Sequence, residues 1–341
     1  MTPFVGTANP GFAPYAMEEL RRRFPNVSLR GLAAGETFLF AAPDRSEAEV
    51  AALLRKDEPI FLRHLFPAES ETPLGAAGEE AGPALTAFAS RCIDRVRGRK
   101  IAVQVRKSPD SPFPFSSAEA RDLVASCLRE AGAELVPRGA DAILSVYAAG
   151  RTLYAGLSSP RDNLSDWPGG AVRFRREEGL VSRAAFKLLE AELTFRLPLA
   201  RFTHALDLGA APGGWTKVLL ERGVKVTAVD PAEMDPLLAG HPLLKHVRRN
   251  ADELAFPPGS FDLLLCDMSW DPHRTCRIVS RLAPAMTAGA SGIITLKLMG
   301  RKPMKTIAEL TEAYAEVFEI RRVKQLFHNR EEVTLWVKRK P

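Results

Sequence analysis

Apolar and polar positions alternate in two different rhythms along the chain. In the first part, Met17, Leu20 and Phe24 recur at helical spacing and predict a helix running through Arg23 after an Asn9-Pro10-Gly11 turn. The pattern then predicts a helix around 84–97, a strand over 101–106, a helix around 117–131 and a strand over 142–147, a small α+β unit. Beyond residue 182 short apolar runs alternate with amphipathic stretches. Strands are expected at 205–208, 224–229, 262–266 and 292–296, with helices from 215 to 221 and around 303–318. Alternation of this kind builds a mostly parallel sheet, and the patterns at 321–326 and 333–337 add a closing antiparallel pair.

Two stretches interrupt these rhythms. Residues 67–83, rich in Pro, Gly, Ala and Glu with almost nothing to bury, read as a linker. Residues 158–179 hold Pro160, Asp162-Asn163 and Trp167-Pro168-Gly169-Gly170, which are turn formers. Three segments follow: an N-terminal α+β domain over 1–70, a second α+β domain over 80–157, and an α/β domain over 165–341. A length of 341 residues agrees with more than one core.

Composition narrows the class. No apolar run approaches the roughly 18 residues of a membrane span, and the first residues lack the pattern of a signal peptide. Cys92, Cys127, Cys266 and Cys276 form no CxxC pair and no zinc spacing, so reduced thiols in a cytoplasmic protein without a metal are expected. The net charge of +6 is unevenly placed. Up to residue 160 there are 19 basic and 19 acidic residues, and after it 28 against 22, so an anionic partner is expected to meet the second half.

Candidate chemistry concentrates where the first strand of the third segment meets its helix. Asp207-Leu208-Gly209-Ala210-Ala211-Pro212-Gly213-Gly214-Trp215 supplies glycines for close backbone approach and a helix start with free N–H groups. It is not a dinucleotide GxGxxG, because Ala211 stands where the second glycine is required, and it lacks the GK[ST] of a phosphate loop. Asp230, about 20 residues on at the end of the next strand, can accept both hydroxyls of a ribose. A ribose-bearing cofactor without a pyrophosphate cradle points to S-adenosylmethionine.

These residues, with Ser182-Arg183-Ala184-Ala185-Phe186-Lys187-Leu188-Leu189-Glu190 before them and Cys266-Asp267-Met268 after, resemble the FtsJ/RrmJ-type RNA ribose 2′-O-methyltransferases. Leu326-Phe327-His328-Asn329-Arg330-Glu331-Glu332-Val333-Thr334, together with Leu296-Lys297-Leu298 and Pro303-Met304-Lys305, resembles within that group the 23S rRNA 2′-O-ribose methyltransferase M family. The resemblance is specific over 182–338 and diffuse before it. It implies a Rossmann-like methyltransferase domain preceded by a THUMP-like, RNA-binding α+β region.

Carried over by motif, the resemblance implies a catalytic tetrad of Lys187, Asp267, Lys297 and Glu332. Asp267 and Lys297, each at the end of an apolar strand, would be costly alone and are expected to pair. For Lys297 to act as a base, burial or the nearby Lys187 would have to depress its pKa. Asp207, Gly209, Ala210, Pro212, Gly213, Gly214, Trp215, Asp230 and Asp267 would bind the cofactor. Asp252 would meet the adenine amino group, Asn250 being the alternative. The segment 167–173 matches the family only loosely.

The reaction implied is methyl transfer to a ribose, that of a cytidine, in unpaired 23S rRNA before full ribosome assembly. Another RNA such as tRNA, or a non-catalytic RNA-binding factor, is the alternative. Phosphates would be met by Arg173, Arg175, Arg176 and Arg183 before the Lys187 helix, and by Arg301, Lys302 and Lys305 after Lys297. In the middle segment the basic residues from Arg95 to Lys107 are the candidate patch, and His328 reads first as packing.

Overall fold

A computed structural model, which describes residues 2–175, 179–300 and 302–341, divides the chain into two units, Met1–Ala171 and Val172–Pro341. The first unit holds two sheets. β1 (Phe4–Thr7), α1 (Ala13–Arg23), β2 (Ser28–Ala33), β3 (Thr37–Ala41), α2 (Glu47–Lys56) and β4 (His64–Pro67) give an antiparallel sheet in the order β2-β3-β1-β4. Its strands are short and are held by aromatic pairs. Phe4 lies opposite Phe40 in the register, with ring centroids 5.1 Å apart and stacked.

The second sheet uses β5 (Ser70–Pro73), β6 (Lys100–Lys107), β7 (Glu134–Leu135), β8 (Ala142–Ala149) and β9 (Thr152–Ser158) in the order β5-β9-β8-β6-β7. α3 (Ala81–Arg91), α4 (Ile93–Val96) and α5 (Ser117–Glu130) accompany it. α5 begins with a reciprocal cap between Ser116 and Glu119 and buries Ala120, Val124 and Leu128, one residue per turn. This sheet corrects the linker expected at 67–83. Ser70–Pro73 is an edge strand paired antiparallel to β9, Leu74 is buried, and α3 starts at Ala81. By its contacts the chain divides once, between Ala171 and Val172 within the turn-rich stretch 158–179, and residues 1–171 form one unit.

The second unit contains α6 (Ala185–Thr194), β10 (His204–Leu208), α7 (Gly214–Leu220), β11 (Lys225–Val229), β12 (Leu244–Val247), β13 (Phe261–Cys266), α8 (Pro272–Leu282), β14 (Met286–Lys297), α9 (Pro303–Ala315), β15 (Phe318–Lys324) and β16 (Glu332–Arg339). They form one sheet in the order β12-β11-β10-β13-β14-β16-β15. β10 to β14 run parallel, and β16 is inserted antiparallel between β14 and β15. The Rossmann-like expectation therefore holds, including its antiparallel closure. β12 and α8 are additions to the elements read from sequence. α6 and α7 cover one face through Leu188, Ala191, Trp215, Val218 and Leu219, and α8 and α9 pack along β14 and β15.

Among the described residues no helix is long and apolar enough to cross a membrane. Divided at the observed boundary, the charge asymmetry sharpens: 20 basic and 21 acidic residues in the first unit, 27 and 20 in the second.

Gly156 in β9 marks the closest backbone approach in the first unit. A Cβ there would lie 1.7 Å from the Pro67 carbonyl oxygen, so the strand has to move to admit one. Gly156→Ala is expected to destabilise the first unit by about 1–3 kcal/mol, as overpacked sites do. Urea unfolding measures it, and an unchanged midpoint would contradict the close approach.

Candidate active site

The site is assembled by strand register. Leu208 of β10 lies beside Val229 of β11 and Cys266 of β13, so three parallel strands end at one level. Asp230 and Asp267 are the first residues beyond those ends. In the neighbouring pair β14 ends on Lys297, directly opposite Glu332, which begins β16. Lys187 is the third residue of α6. The chain runs from β10 outward to β11 and β12 and then returns to β13 on the other side, so these ends flank the crevice where the sheet reverses direction, the usual ligand position of an open α/β sheet.

Here the four tetrad candidates close into a ring of two cations and two carboxylates. Lys187 Nζ donates to Asp267 Oδ2 at 2.5 Å and lies 3.1 Å from Glu332 Oε1. Lys297 Nζ donates to Glu332 Oε2 and is 3.5 Å from Asp267 Oδ1. The side chains are 12% (Lys187), 14% (Asp267), 21% (Lys297) and 7% (Glu332) exposed, so water screens the ring weakly. The expected partnership of Asp267 with Lys297 is the longest edge of the ring. The short bond to Asp267 comes from Lys187, because α6 presents its lysine directly over the β13 end.

Electrostatics hold Lys297 protonated and Glu332 ionised. Burial pushes the Lys297 ammonium down, but Asp267 and Glu332 outweigh it and hold it above the ordinary lysine range. Burial raises the Glu332 carboxyl, and Lys187 and Lys297 more than reverse this, holding it low. The depression that base action by Lys297 requires is therefore absent from the closed ring: with both carboxylates in place, Lys297 keeps its proton.

Two further residues steady the ring. Glu190, one turn after Lys187 on α6, is buried and accepts the backbone N–H groups of Phe327 at 2.7 Å and His328 at 2.9 Å. It thereby ties the helix carrying Lys187 to the loop leading into Glu332. In that loop Asn329 donates to Glu332 Oε1 at 3.3 Å, while its carbonyl oxygen accepts from Leu326 N–H and from the Thr334 hydroxyl. The signal for Glu190 was present in the sequence as a carboxylate one helical turn from Lys187. Asn329 gave none, because its partners are set by the fold of the loop.

The Asp207–Trp215 loop borders the same crevice. Gly213 sits at φ +113°, where a Cβ would also strike Leu238. Gly214 leaves room for Ser182, whose Oγ would be 2.3 Å from an added Cβ. Trp215 Nε1 donates to the Ala184 carbonyl at 2.7 Å, fastening the loop to the start of α6. Asp230 accepts Ala211 N–H on Oδ2 and Ala232 N–H on Oδ1, so each oxygen is aimed and keeps a free lone pair.

Residues 180–324 match the family model of FtsJ-like methyltransferases. Most of the second unit is thus similar to FtsJ-like methyltransferases. The chain is similar to ribosomal RNA large subunit methyltransferase M of Laribacter hongkongensis, 39% identical over 189 residues, which cover 51% of this chain and 52% of that protein. It is similarly related to the protein of the same name from Halorhodospira halophila, 36% identical over 193 residues and 55% of each chain. The chain spans about half the length of the curated relatives it matches.

Other candidates in the second unit are placed less decisively. Asp252 lies in the short 3-10 helix Ala251–Glu253, with Oδ2 paired to Arg274 of α8 at 2.5 Å, and Asn250 bonds Glu253. Arg173, Arg175, Arg183 and Lys302 are exposed, and Lys305 pairs with Glu309 one turn on. Arg176 and Arg301 lie outside the described residues. In the first unit the patch from Arg95 to Lys107 is largely engaged internally. Arg95 is forked onto Glu69, Arg99 onto the Arg95 and Asp141 carbonyls, Arg106 onto Thr7 and Lys107 onto the Phe113 and Phe115 carbonyls. Among the described residues no group of three or more His, Cys, Asp or Glu could hold a metal.

Asp207 has a different role from Asp230. It is 1% exposed, and desolvation pushes its carboxyl up to about 7 against the pull of the Thr216 hydroxyl, with Asp267 and Asp230 adding to the rise. A folded pKa above the unfolded value of about 3.9 means that its stabilising contribution is complete below about pH 4 and is lost as pH rises to about 7. Asp207→Asn removes that loss. Its stability relative to the wild type should therefore rise by a few kcal/mol between about pH 4 and 7, read from urea unfolding at each pH. A difference independent of pH would contradict the burial of an acidic carboxyl there.

Proposed function

We propose that the chain is an S-adenosylmethionine-dependent ribose 2′-O-methyltransferase acting in the cytoplasm on 23S rRNA, at a cytidine, before ribosome assembly is complete. The observation that carries this reading is the closed ring of Lys187, Asp267, Lys297 and Glu332 at the strand ends, beside a loop suited to a ribose-bearing cofactor. A small-molecule methyltransferase has no evident use for two desolvated lysines held by two carboxylates, whereas a ribose hydroxyl, a weak nucleophile, needs its proton managed during transfer. The first unit is read as the THUMP-like RNA-selecting part.

The residues present fit the cofactor. Asp230 keeps one acceptor position on each oxygen for the two ribose hydroxyls, and Gly209, Ala210, Pro212, Gly213, Gly214 and Trp215 shape the loop beside it. Asp252 keeps Oδ1 for the adenine amino group while Arg274 holds Oδ2. S-adenosylmethionine supplies a sulfonium methyl whose thioether leaves uncharged.

Protonated Lys297 meets the 2′-hydroxyl first as a donor, holding its oxygen in line and stabilising negative charge as it develops. A hydroxyl that separates Lys297 from Glu332 also weakens the field that raises the lysine. Burial then weighs more heavily against the ammonium, with Asp267 still opposing it, so Lys297 gives up its own proton to solvent more readily and, once neutral, takes the 2′-hydroxyl proton as the methyl is transferred. Asp267 and Glu332 keep both lysines in place.

Lys297→Ala is expected to lower methyl transfer to a 23S rRNA transcript by about 10²–10⁴-fold, the range for loss of a positioned proton-transfer group. Cofactor affinity measured by calorimetry should stay within a few fold of wild type. Retained turnover would refute the assignment. If substrate seating lowers the Lys297 pKa, the rising limb of kcat against pH must lie at lower pH than that of kcat/KM, because the first reports the complex and the second the free enzyme. Superimposed limbs in the two profiles would contradict the displacement of Glu332.

A further inference from the structure

The ring of charges has an aromatic neighbour that the chemistry so far leaves unused. Phe174 and Phe186, from the start of the second unit and from α6, gather with His328 from the loop before β16 into one cluster. Phe174 stacks on Phe186 at a centroid distance of 5.7 Å and an interplanar angle of 14°. It stacks on His328 at 5.7 Å, and Phe186 and His328 are 5.3 Å apart. None of the three belongs to the apolar core between α6, α7 and the sheet, and all three remain half-buried.

The cluster is tied to the tetrad by covalent sequence and by hydrogen bonds. Phe186 directly precedes Lys187. His328 stands four residues before Glu332, and its backbone N–H is held by Glu190, the residue that also fixes the helix bearing Lys187. Burial keeps the imidazole below the ordinary histidine range, against an opposing bond to the Val172 backbone, so the ring is neutral near pH 7. Exposed Arg173 and Arg175 flank Phe174, and exposed Arg183 precedes Phe186 by three residues. Partly exposed aromatic rings with exposed arginines close by in the chain are the combination that binds single-stranded nucleic acid: stacking for the base and positive charge for the phosphate.

We infer that Phe174, Phe186 and His328 form a stacking platform for an unpaired nucleobase within one nucleotide of the reacting ribose. The inference rests on the RNA methyltransferase reading above. A ribose whose hydroxyl enters the ring must belong to a strand drawn out of its helix, and a base that loses its neighbours needs another surface to stack on. The platform holds that base while the Arg173, Arg175 and Arg183 side chains meet its flanking phosphates. Its effect is on substrate binding and register, with the proton chemistry left to the tetrad.

The test uses the full-length protein and an RNA oligonucleotide spanning the nucleotide that accepts the methyl group. Phe174→Ala should raise KM for this RNA by about 5–100-fold, the range for loss of one stacked base. It should leave cofactor affinity within twofold, and Phe174→Tyr should restore KM. An abasic substitution at the target or its neighbour should weaken the wild type by a similar factor and weaken Phe174→Ala no further. This second arm reads the platform in the wild-type protein even if the alanine variant folds poorly. An abasic penalty below twofold in the wild type at each of these positions would overturn the platform while leaving the methyltransferase reading intact. Equal and independent penalties in the two proteins would overturn it as well. Failure of the wild type to transfer a methyl group to any RNA would overturn the reading itself and the platform with it.

Discussion

Four charges that water can hardly reach must neutralise one another, and that requirement organises the second unit. A lone ammonium or carboxylate at such a site is expensive, and removing one partner of a buried pair typically costs about 3–5 kcal/mol. The solution here is a ring in which each lysine faces both carboxylates. Its members come from a helix and from three strand ends, so the ring can close only if α6, β13, β14 and β16 hold their relative positions closely. The Lys297–Glu332 pairing in the antiparallel register, the Glu190 bonds to the loop before Glu332 and the Asn329 bond to Glu332 itself are the local devices that do this.

The same constraint separates resting electrostatics from catalytic need. In the closed ring both lysines have counter-ions, and Lys297 is held protonated. Burial alone would push it the other way. A substrate that loosens the carboxylates from Lys297 therefore changes its proton affinity by its own arrival, without any motion of the sheet. On the neighbouring side of the crevice, Asp230 is aimed by two backbone N–H groups and keeps its outward lone pairs. In the proposed reaction one set of strand ends thus serves two tasks: an acceptor surface for a ribose-bearing cofactor and a charge ring for a nucleophile.

Much of this site was legible in the sequence where local pattern and chemistry coincide. The apolar run ending at Asp207-Leu208, the Gly-rich turn and the helix start at Trp215 form a strand–loop–helix that periodicity alone suggests, and the structure places it as β10 and α7. The tetrad segments lie far apart in the chain, yet all four side chains meet. What was hidden depends on tertiary placement. The partner of Asp267 is Lys187 more closely than Lys297 because of how α6 lies over β13, which no spacing encodes. Ser70–Pro73 looked like linker because an edge strand with alternate residues exposed needs few apolar side chains. Basic residues between Arg95 and Lys107 looked available until the fold directed several of them to backbone carbonyls and Glu69.

The proposed reaction at this ring moves a methyl group to one ribose of 23S rRNA. Mass-spectrometric mapping of 2′-O-methyl groups on 23S rRNA and tRNA, from cells that contain the protein, lack it, or carry Lys297→Ala, tests it directly. One 23S rRNA ribose should be methylated only in cells with the intact protein. An identical 23S rRNA map in all three would contradict it.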